Sequence, residues 1–268
     1  MLGVELRRLL TRPRTWLTIA LLAGLPVVVG IFVETTGIGP RTNDRGPALL
    51  SEVLQNGLLF PAAALALILP IFLPVATAVV AGDTIAGEAT NGTLRYLLVR
   101  PVPRTRLLVA KLVGVVVFVV LAVAIVALVA YVAGWALFGI KPLTSISGSS
   151  LSYRSTIERT GLTMLYVAVS MLGLASIAVF ASTRTDSPLA AALAALATFV
   201  TSQVLDLIDA TRAIKPYLPT HYWLSFVDLF RDPILWREIE RGFALQGVYI
   251  VVFLGAAWAS FATKDITS

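Results

Sequence analysis

The amino-acid sequence predicts an all-α membrane protein, a bundle of six transmembrane helices in a single domain that comprises residues 1–268. Hydrophobic residues make up 57% of the chain and charged residues only 13%, whereas charged residues are about a quarter of a typical soluble domain. The apolar residues form six continuous runs that are long enough to cross a bilayer, and they do not alternate with polar residues as β-barrel strands do. A soluble enzyme, a disordered chain and a disulfide-stapled secreted module are therefore excluded.

Residues 1–15 form an amphipathic segment before the first apolar run. Leucines can share one helical face while Glu5, Arg8 and Arg12 occupy the other. A helix with a basic face and an apolar face favours a position along an anionic leaflet, where it would orient the first span as an elbow. The same arginines would also serve simply as a topology signal, and both interpretations remain open.

The six spans are predicted at about 16–33, 58–81, 107–138, 161–181, 188–208 and 243–262. The first is longer than the apolar core of a cleaved signal peptide and lacks a small-x-small cleavage site. The second contains Pro61, Pro70 and Pro74, which indicate either a hinge or kinks of the kind that membrane helices tolerate. The third is too long for the bilayer at about 1.5 Å per residue, so we expect its first turns to project into the cytoplasm. The fifth has alanines at small-xxx-small spacing, which favours close helix packing.

The distribution of basic residues predicts that both termini lie in the cytoplasm. On this topology the cytoplasmic pieces are 1–15, 82–106, 183–187 and 263–268. Together with Lys111 they contain eleven basic and five acidic residues, whereas the outer loops, taken with Asp206 near the outer end of the fifth span, contain ten of each. The whole net charge of +6 therefore falls on the cytoplasmic side.

The cytoplasmic segment 82–106 has the most distinctive pattern in the chain. Asp83 or Thr84 is a candidate cap for a helical turn, and Asn91-Gly92 is a candidate break. The leucines of 94–98 then share one face of a short helix, which the prolines at 101–103 end. An apolar face on the cytoplasmic side indicates a docking element for a partner protein. A loop whose leucines dip into lipid is the alternative.

Several features resemble ABC-2-type transporter permeases in both order and placement. Between the second and third spans they are Glu88, Gly92-Thr93-Leu94-Arg95, Leu97-Leu98 and the Pro-Val-Pro-Arg run of 101–104, followed by Lys111 in the next helix. Elsewhere they are Glu5 and Arg8 before the first span, Asp186-Ser187-Pro188 before the fifth, and the Pro-Tyr-Leu-Pro-Thr-His-Tyr-Trp run of 216–223. With six spans in 268 residues, the resemblance covers essentially the whole chain.

The resemblance implies a permease subunit of a bacterial ABC exporter in the cytoplasmic membrane. It implies two partners besides membrane lipid: a cytoplasmic ATPase subunit in two copies, which binds ATP and Mg, and a second permease chain, identical or related. The residues it assigns to ATPase coupling are Glu88, Gly92, Thr93, Leu94, Arg95, Leu98, Arg100 and Arg104. Those it assigns to the elbow helix are Glu5, Arg8 and Arg12.

Residues 209–242 form an outer segment rich in aromatic and charged residues, and they carry too many charges for a further span. The aromatics indicate a pair of headgroup-level helices broken near Pro233. The resemblance implies short re-entrant helices that close the path on the outer side, and a passive interfacial cap is the alternative. Candidate residues for the path or outer gate are Gln203, Asp206, Tyr222 and Trp223. Asp206 is also close enough to the interface to be merely solvated, and we expect a structural hydrogen bond from His221.

Several functions are excluded by what the sequence lacks. No phosphate-binding loop of the G-x-x-x-x-G-K-[ST] type is present, so the chain cannot hydrolyse ATP in the usual way, and we expect it to bind no cofactor itself. With no cysteine and one histidine there is no metal or nucleophile cluster of the kind an intramembrane enzyme needs, and basic residues are too dispersed for nucleic-acid binding. A membrane scaffold, or a mechanical subunit of an ATPase complex that does not pump, remains the alternative to a permease.

Overall fold

The computed structural model describes residues 2–36, 57–90, 104–139, 143–144 and 150–263. These residues are mainly helical, and a two-residue antiparallel strand pair, Leu143–Thr144 with Ser150–Leu151, lies between two of the long helices. Within the described ranges, six helices are long and apolar enough to cross a membrane. The predicted all-α, multi-pass membrane protein is confirmed at this level.

The helices are numbered α1 to α8 in chain order. They are α1 Leu2–Thr11, α2 Pro13–Thr36, α3 Phe60–Ile68, α4 Phe72–Thr90, α5 Arg104–Phe138, α6 Tyr153–Arg184, α7 Pro188–Leu207 and α8 Trp236–Thr263. The six apolar helices are α2 and α4 to α8. Short 3-10 turns occur at Gly57–Leu59, Asp209–Thr211, Lys215–Tyr217 and Ser225–Phe230.

The predicted second span is divided into two helices. α3 and α4 are separated by a turn at residues 69–71, since Pro70 and Pro74 each lack a backbone donor and crowd the preceding turn. Pro61 is tolerated because it lies in the first turn of α3, where its missing N–H would have no helical partner.

α4 also continues past the predicted end of that span, to Thr90. Residues 82–90 of the predicted loop are therefore helical, and Asp83 lies inside the helix rather than at a cap. Gly82 lies within α4 and does not break it. Because glycine has no side chain, α7 can approach α4 closely at this position. A Cβ built on Gly82 would lie 2.9 Å from the backbone nitrogen of Ala192. The predicted break at Asn91-Gly92 and the leucine face of 94–98 lie outside the described residues.

The outer segment differs from the predicted helix pair. Between the end of α7 and the start of α8 the described chain has three 3-10 turns and no α-helix. Prolines at 216, 219 and 233 remove donors that a regular helix would need. The last span begins at Trp236, seven residues earlier than the sequence indicated.

α6 is the central helix of the bundle, with 67% of its most apolar stretch buried, against 17% for α8. It packs on α4, α7 and α8, while α5 packs on α1, α2 and α3. Tyr166 and Met171 of α6 are fully buried at these contacts. Large apolar side chains of α2 and α8, such as Leu21 and Val251, remain exposed, as expected for faces that contact lipid.

Candidate functional site

A buried cluster of charged side chains joins α1, α4 and α5. Glu88 of α4 and Lys111 of α5 are only 5% and 7% exposed. Lys111 Nζ lies 2.8 Å from Oε1 of Glu88 and 2.9 Å from Oε1 of Glu5 in α1. Arg8 of α1 donates to the same oxygen of Glu88. Two acids and two bases therefore neutralise each other where a lone buried charge would be costly.

Asp83 forms a second ion-pair group, five residues before Glu88 in α4. Arg12, in the break between α1 and α2, lies 3.4 Å from its Oδ2, and Arg14 in the first turn of α2 pairs with the same atom. Asp83 and Glu88 are five residues apart, which places them about 140° apart around the helix, and both pair with arginines of the N-terminal region. The segment that leads into the first span is therefore held to α4 at the carboxylates of both Asp83 and Glu88.

The opposite side of the same part of α4 is held by hydroxyl groups. The fully buried Ser182 of α6 donates to the carbonyl oxygen of Gly82 at 2.8 Å, and its Oγ accepts from the amides of Ile85 and Ala86 at 3.1 and 2.9 Å. Thr90 donates to the carbonyl oxygen of Asp186 in the α6–α7 turn. The end of α4 is thus bound to four other parts of the chain.

The residues predicted for ATPase coupling are only partly described. Glu88 is directed into the bundle, where it pairs with Arg8 and Lys111, rather than towards the protein surface. Arg104 is the first residue of α5, and its side chain is not described. Those that lie outside the described residues are Gly92, Thr93, Leu94, Arg95, Leu98 and Arg100. Their coupling role stays a prediction.

The outer segment is attached to the bundle by a second polar cluster. Oδ1 of Asp206 in α7 lies 2.5 Å from Nδ1 of His221. One turn earlier in α7, Oγ of Ser202 lies 2.6 Å from Oγ1 of Thr220 and accepts from the amide of that residue at 3.3 Å. Gln203, three residues before Asp206 in α7, is half-buried. Asp206 is thus paired within the protein.

The aromatic run of 217–223 is also held by buried side chains of the spans. Tyr166 of α6 donates its hydroxyl to the carbonyl oxygen of Tyr222, and Gln246 of α8 donates to that of Pro219 at 2.6 Å. The ring of Trp223 stacks on Phe199 of α7, with 5.3 Å between centroids. Tyr222 and Trp223 are both buried, so this part of the outer segment is a packed element of the bundle. Their role as a gate stays a prediction.

Sequence reasoning missed several of the residues that hold these clusters. Arg14, Ser182, Tyr166 and Gln246 were not among the predicted site residues, although each makes a contact described above. A polar group inside an apolar run is a signal for such contacts, and Tyr166 and Gln246 carry it. Serines are too common in membrane helices for Ser182 to be recognised in this way.

The described residues contain no group of three or more His, Asp or Glu side chains that could hold a metal ion. Residues 51–267 match the family described as "Protein of unknown function (DUF2705)". Because this match covers well over half of the chain, the protein belongs to that family. No curated protein matches the chain.

Proposed function

We propose that this protein is the permease subunit of an ABC-2-type exporter, which forms the path for a substrate across the bacterial cytoplasmic membrane. ATP and Mg are bound and hydrolysed on a separate ATPase subunit, present in two copies, and a second permease chain completes the path. Both termini lie in the cytoplasm, α1 is the elbow helix, the cytoplasmic segment 82–106 is the coupling element, and residues 209–242 are the outer re-entrant element.

The observation that carries this proposal is the anchoring of the end of α4. Residues 91–103 continue directly from Thr90. Behind that point, Glu88 is paired with α1 and α5, while Ser182 and Asp186 hold the same turns to α6 and the α6–α7 turn. A force applied to 91–103 by a cytoplasmic partner would therefore act on four other parts of the bundle rather than on one loose loop.

A two-state transporter needs this kind of connection. A ligand or partner shifts a conformational equilibrium only through contacts that differ between the two states. A coupling segment that moved independently of the spans would bind its partner without changing the path. Ion pairs on one side of α4 and hydroxyl contacts on the other supply two sets of contacts that can be exchanged as the helix moves.

The test is co-purification of the tagged chain from its native membranes, followed by measurement of ATPase activity. We expect an ATPase subunit to co-purify, and Arg95→Glu to abolish the association. Arg184→Glu, a charge reversal at the exposed cytoplasmic end of α6, is the matched control and should leave it intact. Glu88→Lys is unsuitable, since it would also break the buried ion pairs.

Two results would contradict the proposal. One is the absence of any associated ATPase in wild-type preparations. The other is equal ATPase association and stimulation in the wild type and the Arg95→Glu variant. A stably associated ATPase whose activity drives no substrate movement in sealed vesicles would favour a mechanical subunit instead.

The topology is tested separately with single cysteines, which is simple because the chain has none of its own. Thr11→Cys and Ser152→Cys place thiols at exposed positions near opposite ends of the bundle. In intact cells a membrane-impermeant thiol reagent should label the second and not the first. The reverse pattern would overturn the proposed orientation.

A further inference from the structure

A groove of about 1120 Å³ lies between α2 and α4 and is lined at one end by the ion-pair groups. Its volume exceeds the range of about 300–1,000 Å³ typical of sites for small molecules. Most of its length is apolar, with Leu21 and Val28 on the α2 side and Phe72, Val75 and Val79 on the α4 side. These side chains are 40–67% exposed, so the described part of the chain leaves them uncovered.

The groove runs along the membrane-crossing direction of the two helices. Its lining residues on α2 extend from Arg14 to Val29, which is about 22 Å at 1.5 Å per residue. This length is roughly three-quarters of the ~30 Å hydrocarbon core. Apolar walls over that length match an extended acyl chain, whereas a polar solute would lose its hydration without gaining hydrogen bonds.

The charged end of the groove favours an anion. The ionic side chains that line it are four bases, Arg8, Arg12, Arg14 and Lys111, and three acids, Glu5, Asp83 and Glu88. Arg14 is the most accessible of the paired bases, with 60% of its side chain exposed. A guanidinium has five N–H donors, so its contact with Asp83 leaves others that can bind phosphate oxygens, for which the planar donor geometry is well suited.

We infer that this groove binds one anionic phospholipid from the leaflet at the N-terminal end of the bundle. Its phosphate lies against Arg12 and Arg14, and one acyl chain runs along α2 and α4. The site extends beyond the proposed transport function, because it needs neither an ATPase nor a second permease chain. It depends only on α2 and α4 crossing the membrane.

The charged end is tested by binding of dioleoylphosphatidylglycerol and dioleoylphosphatidylcholine to the delipidated full-length protein, measured by native mass spectrometry from neutral detergent. We expect one phosphatidylglycerol per chain, retained about tenfold more tightly than phosphatidylcholine. Arg12→Gln/Arg14→Gln should abolish this preference. Arg7→Gln, which removes an exposed charge of α1 outside the groove, should keep it.

The apolar part is tested with a pair of matched glycine variants. Gly24 lines the groove, and a Cβ built there meets nothing within 4 Å, as is also true of Gly255 on the exposed face of α8. Gly24→Leu therefore adds an apolar side chain to the groove at a position where a Cβ meets no neighbour, and leucine is also a better helix former. We expect it to reduce lipid retention at least fivefold, and Gly255→Leu to leave retention unchanged.

Three outcomes would overturn the inference. The first is equal binding of the two lipids by the wild type, and the second is equal lipid retention by the two leucine variants. The third is displacement of the bound lipid by millimolar inorganic phosphate, which would show that the charged end binds a free anion. If Gly24→Leu loses self-association but retains as much lipid as the wild type, the groove would instead be assigned to a second copy of the chain. Co-purification of an ATPase is independent of each of these results, so failure of one proposal does not imply failure of the other.

Discussion

Replacing Glu88 by glutamine tests whether the buried ion pairs hold α1 against α4 and α5. Glu88→Gln preserves the size of the side chain but removes the charge that faces Lys111 and Arg8. Among the described carboxylates, Glu5 then remains beside Lys111, at 2.9 Å, and the four-residue cluster changes from neutral to a net charge of +1. Because Lys111 is 7% exposed, water cannot replace the lost carboxylate.

The expected destabilisation is about 2–3 kcal/mol. Removal of one partner from a completely buried ion pair costs about 3–5 kcal/mol. The value here is lower because Glu5 remains beside Lys111 and because the side chain of Arg8 is 40% exposed, which lets water screen its charge. Glu88→Gln/Lys111→Met restores neutrality, so the two substitutions should be less than additive, with a coupling of about 1–2 kcal/mol.

The free energy of unfolding can be measured by titrating detergent-solubilised protein with sodium dodecyl sulfate and following tryptophan fluorescence. Glu158→Gln is the matched control, because it neutralises a carboxylate that pairs with Arg154 on the surface of α6. Those two side chains are 60% and 89% exposed, so the control should change the free energy by less than about 0.5 kcal/mol. A Glu88→Gln effect no larger than that of the control would refute the reasoning, as would strict additivity in the double variant.

Three further outcomes follow from contacts between the spans. Gly82→Val should destabilise the fold by about 1–3 kcal/mol through overpacking against the backbone of α7, whereas Gly255→Val should not, as compared by thermal unfolding. Ser182→Ala leaves the Gly82 carbonyl without its hydroxyl donor and should raise hydrogen exchange in α4 locally; unchanged protection there would contradict the assignment. Tyr166→Phe removes the donor to Tyr222 and should cost about 1 kcal/mol. It should also increase the thiol labelling of single cysteines introduced within 217–223, and an unaltered labelling rate would argue against that anchor.

The spans could be predicted from the sequence because lipid imposes a minimum length of apolar helix. An interruption of the second span could also be predicted, because Pro70 and Pro74 indicated a kink. The extension of α4 to Thr90 was not predicted, because Gly82 is typical of a loop when read alone. In the structure this glycine allows α7 to approach α4 closely, and the contact is with Ala192, more than a hundred positions away.

The partners of Glu88 could not be deduced from the sequence. The periodicity of residues 1–15 places Glu5 and Arg8 near each other on a helix, but it does not specify which part of the bundle that helix contacts. Arg8 and Glu88 are 80 positions apart, and no local pattern encodes such a pairing. Lys111 was recognisable as a charge next to an apolar run, and Glu5 and Glu88 were candidate residues, but the sequence did not show that they pair with Lys111.

The position of Lys111 also constrains the order in which the chain is assembled during synthesis. α1 is made first, but the lysine that pairs with Glu5 belongs to a helix made about a hundred residues later. Chains are synthesised from the N-terminus at about 5–20 residues per second, so α1 must wait several seconds before its partner exists. It can complete its contacts only after α5 has been inserted, and the same lysine then joins α1 to α4. The contacts among α1, α4 and α5 can therefore form only after Lys111 has been inserted, because its ammonium group pairs with a carboxylate of each of the other two helices.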